Sequence, residues 1–328
     1  MIPNPQLLRN AMNRLADKVA IVFGAGPNIG GTISHFIARE GAKVLVADIS
    51  LQAAEETVAF ITGKGHVARA TQGNAIDPDD VERIVAEAVE AFGRVDIAVN
   101  MAGRVHWSHL LDMDLEDWKD SVLSFPTAGL LTTKAVAKAM IAGGHGGSII
   151  HLLSTAAHFG EASGAAYTSS KAALMSFARS AAMDLAQHGI RVNTVTPCAM
   201  EHQLWTLMKD ELIDPDWQRP DRMSFYSRDE YLKMLPLQRF PRASDLAWAT
   251  VFLASDEAQI ITGIDIPVDA GLRHKYPTWT PGAHTGVNIK DYAQRTRITR
   301  YGEPQEELLA FETRDDAPPE AHGQENRS

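Results

Sequence analysis

Three side chains that could act together on an alcohol or a ketone lie in one stretch, Ser154 to Lys171. Tyr167 and Lys171 are one helical turn apart, so they share a face if the segment is helical. A phenol titrates near pH ~10, and a nearby ammonium favours the phenolate and lowers that pKa. The Ser154 hydroxyl could hold a substrate oxygen while Tyr167 exchanges its proton. Alone, the pair also fits a helix with a half-exposed tyrosine and a surface lysine.

This chemistry needs a hydride, which no side chain supplies, so a cofactor must be present. The apolar run 18–23 predicts a buried parallel strand, and it ends in the glycine-rich turn Gly24–Gly31. Apolar residues then recur at helical spacing until Gly41, which ends the helix. A strand, a glycine turn and a helix let backbone N–H groups bind a pyrophosphate. We therefore predict that this turn binds a dinucleotide.

The choice between NAD and NADP depends on Asp48, which follows a second predicted strand at residues 43–47. A carboxylate there can accept hydrogen bonds from a ribose diol and repels a 2′-phosphate. No Arg or Lys lies between Gly24 and Gly30 to bind that phosphate. The sequence therefore favours NAD. The alternative is that Asp48 only caps the helix predicted over Leu51–Ile61.

Strands and helices alternate along most of the chain. Further strands are predicted at residues 66–71, 95–99, 148–153, 191–195 and 260–268. Further helices are predicted at about 78–92 with Asp77 as N-cap, 115–140 with an interruption at Pro126, 167–187 and 243–254. This alternation is typical of an α/β protein with one doubly wound parallel sheet and helices on both faces.

Composition limits the classes of function. The chain has 328 residues, 45% hydrophobic and 22% charged, as in ordinary globular proteins. Its net charge of −10 argues against nucleic acid or an anionic membrane as a partner. The single cysteine, Cys198, excludes an internal disulfide framework and a cysteine-based zinc site. No apolar run approaches the roughly 18 residues of a membrane span, and no secretory signal is visible. We expect a cytoplasmic enzyme.

From about Leu15 to Gly271 the chain resembles the short-chain dehydrogenase/reductase family. The motifs that agree in order and spacing are Gly24–Gly30, Asp48, Asn100–Gly103, Ser154, Tyr167 with Lys171, Asn193, Pro197, Ile261–Gly263 and Asp269–Gly271. The resemblance implies a Rossmann fold and a nicotinamide cofactor. It implies Tyr167 as acid/base, Ser154 as substrate orienter, and Lys171 holding the nicotinamide ribose and lowering the Tyr167 pKa. It also implies a homotetramer or a homodimer formed through the helices that begin near Leu115 and Tyr167.

The resemblance extends to further site residues. The cofactor-binding residues it implies are Gly24, Asn28, Ile29, Gly30, Asp48, Ile49, Asn74, Ala75, Asn100, Ala102, Gly103, Tyr167, Lys171, Pro197, Met200 and His202. It places His106, His158 and Trp205 near the substrate. His106, His158 and His202 could bind a metal, but nothing in their spacing requires one, and we predict no metal.

Several positions depart from the family pattern. The smaller departures are Phe23 for a threonine, Asn28 for the middle glycine, Asn74 for an aspartate, Cys198 for a glycine and His202 for a threonine. The largest is Phe125, where the family has an asparagine that stabilises a helix kink and supports a water relay behind the lysine. One interpretation is that Pro126 supplies the kink and the proton leaves by another route. The other is that the water relay is lost and turnover is weak. We favour an active enzyme because Ser154, Tyr167 and Lys171 are all present.

Less specific features indicate the substrate and the domain limits. Residues 200–235 correspond to the variable lid of the family and are rich in large apolar side chains. We expect a hydrophobic secondary alcohol or its ketone, cyclic and aromatic ones included, although half of these side chains could instead pack within the protein or between subunits. We predict a lead-in at 1–14, one Rossmann domain at 15–271 and an extension at 272–328 that is disordered after about 315.

Two other functions stay open at this point. A tightly held NAD could serve an epimerase-like or lyase-like reaction with no net change in the cofactor. The altered Asn28 and Phe125 could instead mark a catalytically weakened relative with a regulatory or structural role. Net NADH formation separates the first alternative from a dehydrogenase, and turnover of any alcohol excludes the second.

Overall fold

Seven strands form a single sheet in which every neighbouring pair is parallel. The strands are β1 Val19–Phe23, β2 Lys43–Asp48, β3 Ala68–Gln72, β4 Ile97–Asn100, β5 Gly147–Leu152, β6 Ile190–Pro197 and β7 Asp265–Val268. Their spatial order is β3-β2-β1-β4-β5-β6-β7. The order reverses between β1 and β4, where Phe23 pairs with Asn100. Connections leave this point in opposite directions, which opens a crevice at the carboxyl ends of the strands.

The structure is a computed structural model that describes residues 13–27, 29–200 and 228–276. The described residues belong to one compact unit that ends at Pro277. Most of the predicted lead-in, lid and extension lies outside the described residues, as do Asn28, His202 and Trp205. The domain limits therefore stay a prediction. Within the described ranges, no helix is long and apolar enough to cross a membrane.

Helices cover both faces of the sheet. The described α-helices are α1 Ile29–Arg39, α2 Leu51–Gly63, α3 Pro78–Phe92, α4 Leu115–Gly143, α5 Ala165–Leu185, α6 Arg228–Met234 and α7 Ala243–Ala254. One core cluster joins α1, α2 and α7 to one face of the strands, and a second joins α3, α4 and α5 to the other. The central strands β1, β4 and β5 are almost wholly buried, as their continuous apolar sequences predict, whereas the edge strands β3 and β7 are mostly half-buried or exposed. The doubly wound fold is confirmed.

Helix α4 continues through Pro126, so the predicted interruption there is wrong. Proline has no N–H, which leaves the carbonyl of Val122, one turn earlier, without its helical donor. The Ser170 hydroxyl of α5 donates to that carbonyl at 3.0 Å. A side chain from the neighbouring helix therefore replaces the missing backbone bond and allows α4 to pass through the proline.

The last strand begins at Asp265, later than predicted from the apolar run at 260–268. The side chain of Asn193 in β6 explains the difference. Its amide Nδ2 donates to the Ile261 carbonyl at 2.9 Å, and its Oδ1 accepts from the Ile264 N–H at 3.1 Å. Asn193 thus occupies the Ile261 carbonyl and the Ile264 N–H, while the Gly263 N–H and the Ile264 carbonyl bond to the backbone of β6 before the regular strand begins. The N-cap predicted at Asp77 is confirmed, since its carboxylate accepts the N–H groups of Asp79 and Asp80.

Candidate active site

A cavity of about 530 Å³ lies at the carboxyl ends of the central strands. Twelve predicted cofactor-binding residues line it: Gly24, Ile29, Asp48, Ile49, Asn74, Ala75, Ala102, Gly103, Tyr167, Lys171, Pro197 and Met200. Ser154 lines the same cavity. The structure therefore brings the two predicted groups, cofactor-binding and catalytic, to one place. The predicted Gly30 and Asn100 do not line the cavity, and Asn28 and His202 lie outside the described residues. The roles of all these residues stay predictions.

The glycine turn after β1 has no room for side chains at two of its positions. Gly24 has a φ of +77°, which glycine adopts without strain. A Cβ at Gly30 would lie 2.2 Å from the Gly24 carbonyl oxygen and 2.8 Å from the Ala25 Cα. The backbone can pack this tightly only with glycine, and it leaves the start of α1 open to the cavity. The turn therefore fits a pyrophosphate group that binds to backbone N–H donors.

Asp48 connects the end of β2 to this turn. One carboxylate oxygen accepts the Gly26 N–H at 2.9 Å, and the other accepts the Ser50 N–H at 3.0 Å. The side chain that caps α2 is Ser50, which accepts the Ala53 N–H at 3.3 Å. The alternative of Asp48 as a mere helix cap is therefore wrong. Each carboxylate oxygen keeps acceptor capacity, so Asp48 can also bind a ribose hydroxyl.

Two asparagines organise the loops on either side of the cavity. The Asn74 Oδ1 accepts the Ile76 N–H at 3.3 Å and so closes a local turn. The Asn100 Oδ1 accepts the Ala102 N–H at 3.1 Å, while its buried Nδ2 has no hydrogen-bond partner among the described residues. A buried donor without a partner is rare in proteins. The Asn100 amide therefore keeps an unused donor behind the cavity, whose lining includes Met101 and Ala102 but not Asn100 itself.

Ser154 and Tyr167 meet at the cavity wall. Ser154 follows β5 and starts a short 3-10 turn, in which its Oγ accepts the Ala156 N–H at 3.2 Å. Its side chain also lies close enough to the Tyr167 phenol to lower the pKa of that phenol. Tyr167 lies in the first turn of α5, and its ring packs against Trp107 and Phe125, with centroids 5.4 and 5.8 Å away. The hydroxyl and the phenol are thus held together by elements that are distant in the sequence.

The expected lowering of the Tyr167 pKa is wrong in this structure. Burial raises the pKa of Tyr167, which the Ser154 hydroxyl opposes and the nearby Glu161 carboxylate reinforces. The Lys171 ammonium lies 5.9 Å from the centre of the tyrosine ring and is itself deeply buried. Removal of water around the phenol therefore outweighs the attraction of the lysine charge. At neutral pH the Tyr167 side chain is a phenol.

Lys171 has two neighbours besides Tyr167. Its Nζ donates to the Leu152 carbonyl at 2.8 Å and lies 3.7 Å from the centre of the Phe125 ring, a cation–π contact. Burial lowers the pKa of Lys171 from 10.5 to about 7. The Phe125 ring also fills the space beside Gly103, where a Cβ would lie 2.2 Å from it. Phe125 therefore occupies the space beneath the ammonium and fixes the loop after β4.

The predicted substrate residues have other partners. His106 pairs with Asp120 of α4, with Nε2 and Oδ2 2.8 Å apart. His158 pairs with Arg273 and Asp265. Neither histidine belongs to the cavity lining, and Trp205 lies outside the described residues. Their contact with a substrate stays a prediction.

Other lining residues were not predicted as site residues. They are Phe23, Ala47, Gly73, Ile76, Met101, Arg104, Phe125, Leu152, Leu153, Cys198 and Leu246. Most of them lie at or just after the carboxyl end of a strand. That position alone would have identified them, because carboxyl ends of parallel strands face one crevice. The pairing of Phe125 with Lys171 had no such signal, since it depends on how α4 packs against α5.

Known proteins share this architecture. A family model described as enoyl-(acyl carrier protein) reductase matches residues 24–273. The chain is 34% identical over 260 residues to a sorbitol dehydrogenase from Cereibacter sphaeroides, which covers 79% of this chain and 98% of that protein. It is 31% identical over 259 residues to 2,5-dichloro-2,5-cyclohexadiene-1,4-diol dehydrogenase LinX from Sphingobium indicum, covering 79% and 97%. A crystal structure of a short-chain type dehydrogenase/reductase from Mycobacterium marinum has a TM-score of 0.68 and 29% identity, covering 80% and 98%.

Proposed function

The chain belongs to the short-chain dehydrogenase/reductase family and is an oxidoreductase of CH–OH groups; from this premise we propose that it is an NAD-dependent dehydrogenase that interconverts a hydrophobic secondary alcohol and its ketone. One observation carries the proposal. The Ser154 hydroxyl and the Tyr167 phenol lie together at the wall of a cavity that also contains Lys171 and the glycine turn. This arrangement supports proton exchange next to a bound dinucleotide.

Each catalytic residue has a distinct proposed task. Ser154 orients the substrate oxygen by hydrogen bonding. Tyr167 donates its proton to that oxygen when a ketone is reduced, and as phenolate it accepts the hydroxyl proton when an alcohol is oxidised. Lys171 donates to the ribose next to the nicotinamide and adds positive charge. A nicotinamide cofactor bound there supplies or accepts the hydride.

The cofactor would be held by the residues that line the long side of the cavity. Backbone N–H groups at the turn from Gly24 to Gly30 would bind the pyrophosphate, and Asp48 would accept the ribose hydroxyls. The loops at Asn74 and Asn100 would border the remaining nucleotide. The Asp48 carboxylate repels a 2′-phosphate, which supports NAD over NADP. The tight packing at Gly30, which leaves the turn free of side chains, favours a bound dinucleotide.

The substrate proposal depends on the apolar lining near Tyr167. Trp107 packs on the tyrosine ring, and Phe125, Leu153 and Cys198 line the adjacent wall. These side chains suit a carbon framework better than a charged one. The two relatives named above act on a cyclic diol and on a sugar alcohol, so both classes belong in the substrate test. We propose a secondary alcohol on an apolar, cyclic or aromatic framework.

A homodimer or homotetramer is also proposed, through α4. Four of its apolar side chains are largely exposed: Leu115 at 62%, Leu123 at 59%, Leu130 at 49% and Ile141 at 43%. Their separations are close to whole numbers of helical turns, so they form one stripe. Exposed apolar stripes of this kind indicate contact with another protein surface. A second copy of the chain is the partner we propose.

The deciding experiment measures NADH formation with a panel of cyclic, aromatic and polyhydroxylated secondary alcohols, with NADP in parallel. We expect turnover with NAD, much weaker turnover with NADP, and a rate that rises with pH because the phenolate becomes more abundant. Tyr167→Phe should lower kcat by about 10²- to 10⁴-fold while NAD still binds. Turnover retained in Tyr167→Phe would reject the assignment. NAD binding without turnover of any alcohol would favour the regulatory alternative.

A further inference from the structure

A buried ionic cluster lies beside the candidate catalytic turn, outside the cavity. Its centre is Asp265, the first residue of β7. One carboxylate oxygen accepts the hydroxyls of Thr194 and Thr196 of β6, at 2.8 and 2.7 Å. The other accepts the guanidinium Nη1 of Arg273 at 2.6 Å. The cluster therefore joins β7 to the strand that ends at Pro197, on the cavity wall.

Arg273 also bonds to a second carboxylate, that of Asp269. Its Nε and its backbone N–H both donate to one oxygen of Asp269, each at 3.1 Å. The side chain of Arg273 is 8% exposed, and those of Asp265 and Asp269 are 11% and 2% exposed. Charge-assisted bonds in so little water are strong and directional. The guanidinium is therefore held in one place by two carboxylates.

The same Nη1 of Arg273 also donates to the Nε2 of His158. A guanidinium has no acceptor, so Nε2 accepts from Arg273 in the neutral tautomer with its proton on Nδ1. The Asp265 carboxylate lies 3.4 Å from the same Nε2 and favours the charged ring. Burial, followed by the charge of Arg273, outweighs Asp265 and lowers the pKa of His158, which favours the neutral imidazole that accepts from Arg273.

His158 closes the turn that begins at Ser154. Its backbone N–H donates to the Thr155 carbonyl at 2.9 Å, and Ser154, at the other end of the turn, lies beside the Tyr167 phenol. The turn thus faces α5 at one end and bonds to the ionic cluster at the other. We propose that Arg273 is a positioning residue, which clamps the Ser154–His158 turn against β6 and β7 so that the Ser154 hydroxyl meets the Tyr167 phenol. This role rests on the function proposed above.

The test replaces the guanidinium and measures catalysis and cofactor binding separately. For Arg273→Met we expect kcat to fall roughly tenfold or more and the NAD dissociation constant to stay within about twofold, because the turn shifts but the nucleotide residues do not. Arg273→Lys keeps the charge and should recover part of kcat. The control is Arg239→Met, which removes an exposed arginine paired with Asp245. Equal kcat in the two methionine variants would overturn the proposal.

A titration of His158 by NMR tests the clamp directly. The charged groups that face His158 are Arg273, Asp265 and Arg179 of α5. Without Arg273, the Asp265 carboxylate favours the imidazolium, so the midpoint should rise by roughly one pH unit or more. Arg239→Met should leave the midpoint unchanged. The same midpoint in Arg273→Met as in the wild type would show that the contact does not exist in solution.

A second pair of variants covers the case in which Arg273→Met does not fold. The amide oxygen of His158→Gln can accept from Arg273, whereas His158→Leu offers no acceptor. We expect His158→Gln to keep a higher kcat than His158→Leu at similar KM. Equal losses in both, with a raised KM, would show that His158 touches the substrate and would reject the clamp.

Failure of the proposed function remains distinguishable from failure of the clamp. If the wild type turns over no alcohol, the pKa of Tyr167 can still be followed by NMR of its ring carbons. The Ser154 hydroxyl lowers that pKa, so loss of the clamp should raise it. An unchanged Tyr167 pKa in the clamp variants would overturn the inference whether or not the enzyme is active.

Discussion

The Lys171 ammonium combines a buried charge with few acceptors. It has three N–H donors; the Leu152 carbonyl accepts one, and the Phe125 ring faces the ammonium at 3.7 Å. Neither neighbour is a carboxylate, and burial accordingly brings the pKa of Lys171 to about 7. A ribose hydroxyl would add an acceptor that stabilises the charged form. Cofactor binding and lysine protonation should therefore be coupled.

We predict that NAD binding takes up protons above pH 7 and that affinity falls as pH rises through that range. The sign follows because the ammonium is favoured in the complex, whereas the free protein loses the proton near pH 7. Isothermal titration calorimetry in buffers of different ionisation enthalpy measures the uptake. An affinity that is constant from pH 6 to pH 9, without proton uptake, would contradict the coupling.

Phe125→Leu sharpens this test, because it removes the aromatic face beneath the ammonium but keeps an apolar side chain. A desolvated cation–π contact contributes roughly 1–2 kcal/mol, so the fall in NAD affinity should begin about one pH unit lower. Phe177→Leu is the matched control: Phe177 packs in the same cluster, and its ring contacts His151. A similar displacement in both variants would mean that lost packing, not the ring face, is the cause.

One hydrogen bond joins α4 to α5 at the proline. Ser170 is fully buried, and its hydroxyl supplies the donor that Pro126 cannot give to the Val122 carbonyl. Removing that hydroxyl would leave a buried carbonyl without a partner. The same two helices carry Phe125, Tyr167 and Lys171, so this bond also stabilises the relative position of α4 and α5 at the candidate site.

Ser170→Ala should therefore destabilise the fold by roughly 1–3 kcal/mol. Pro126→Ala restores a backbone N–H to α4, so Ser170→Ala in that background should cost much less. Urea unfolding of the four proteins in this double-mutant cycle gives the coupling energy. Additive effects would show that the Ser170 hydroxyl does not compensate for the proline.

The free energy of unfolding should depend on pH through two histidines whose protonation is disfavoured in the folded protein. His151 of β5 is fully buried with its Nε2 against the Thr133 hydroxyl, and burial, followed by the charge of Lys171, lowers its pKa to about 4. Burial likewise lowers the pKa of His35 to about 4. Unfolding allows both to take up protons near pH 6.5, so acid favours the unfolded chain.

We predict that the free energy of unfolding decreases from pH 7 to pH 5, with roughly 2 kcal/mol of the loss due to His151. The sign follows because the unfolded state binds more protons between the two pKa values. Urea unfolding at the two pH values measures it. His151→Gln keeps a group that can bond Thr133 but cannot titrate, so its loss of stability should be smaller. An identical loss of stability in His151→Gln and the wild type would show that other groups cause the acid sensitivity.

The exposed stripe on α4 leads to a prediction about assembly. Replacing Leu123 and Leu130 by glutamate places charges in the proposed contact, where they would be buried without partners. We expect the double variant to sediment as a monomer while the wild type sediments as a dimer or tetramer. Glutamate at Ile260, which is 92% exposed and not part of α4, provides the control. A monomeric wild type would refute the α4 interface.

The residue pattern was sufficient to predict the parallel sheet, the glycine turn and the nearness of Ser154 to Tyr167. Continuous apolar runs that alternate with segments of helical periodicity fit few folds other than a doubly wound sheet. The carboxyl ends of the parallel strands in such a sheet must lie at one edge. The one-turn spacing of Tyr167 and Lys171 is local, so it survives in α5. These features depend on backbone geometry and short-range periodicity, which a sequence carries directly.

The remaining features of the site depend on packing between residues that are far apart in the sequence. The bond of Ser170 to Val122, the ring of Phe125 beneath Lys171, and the contact of Arg273 with His158 each join residues from different elements. Their existence depends on the rotation and registry of packed elements, which periodicity does not specify. The same holds for the Tyr167 pKa. A lysine one turn away is visible in the sequence, but the removal of water that outweighs it comes from neighbours that only folding brings together.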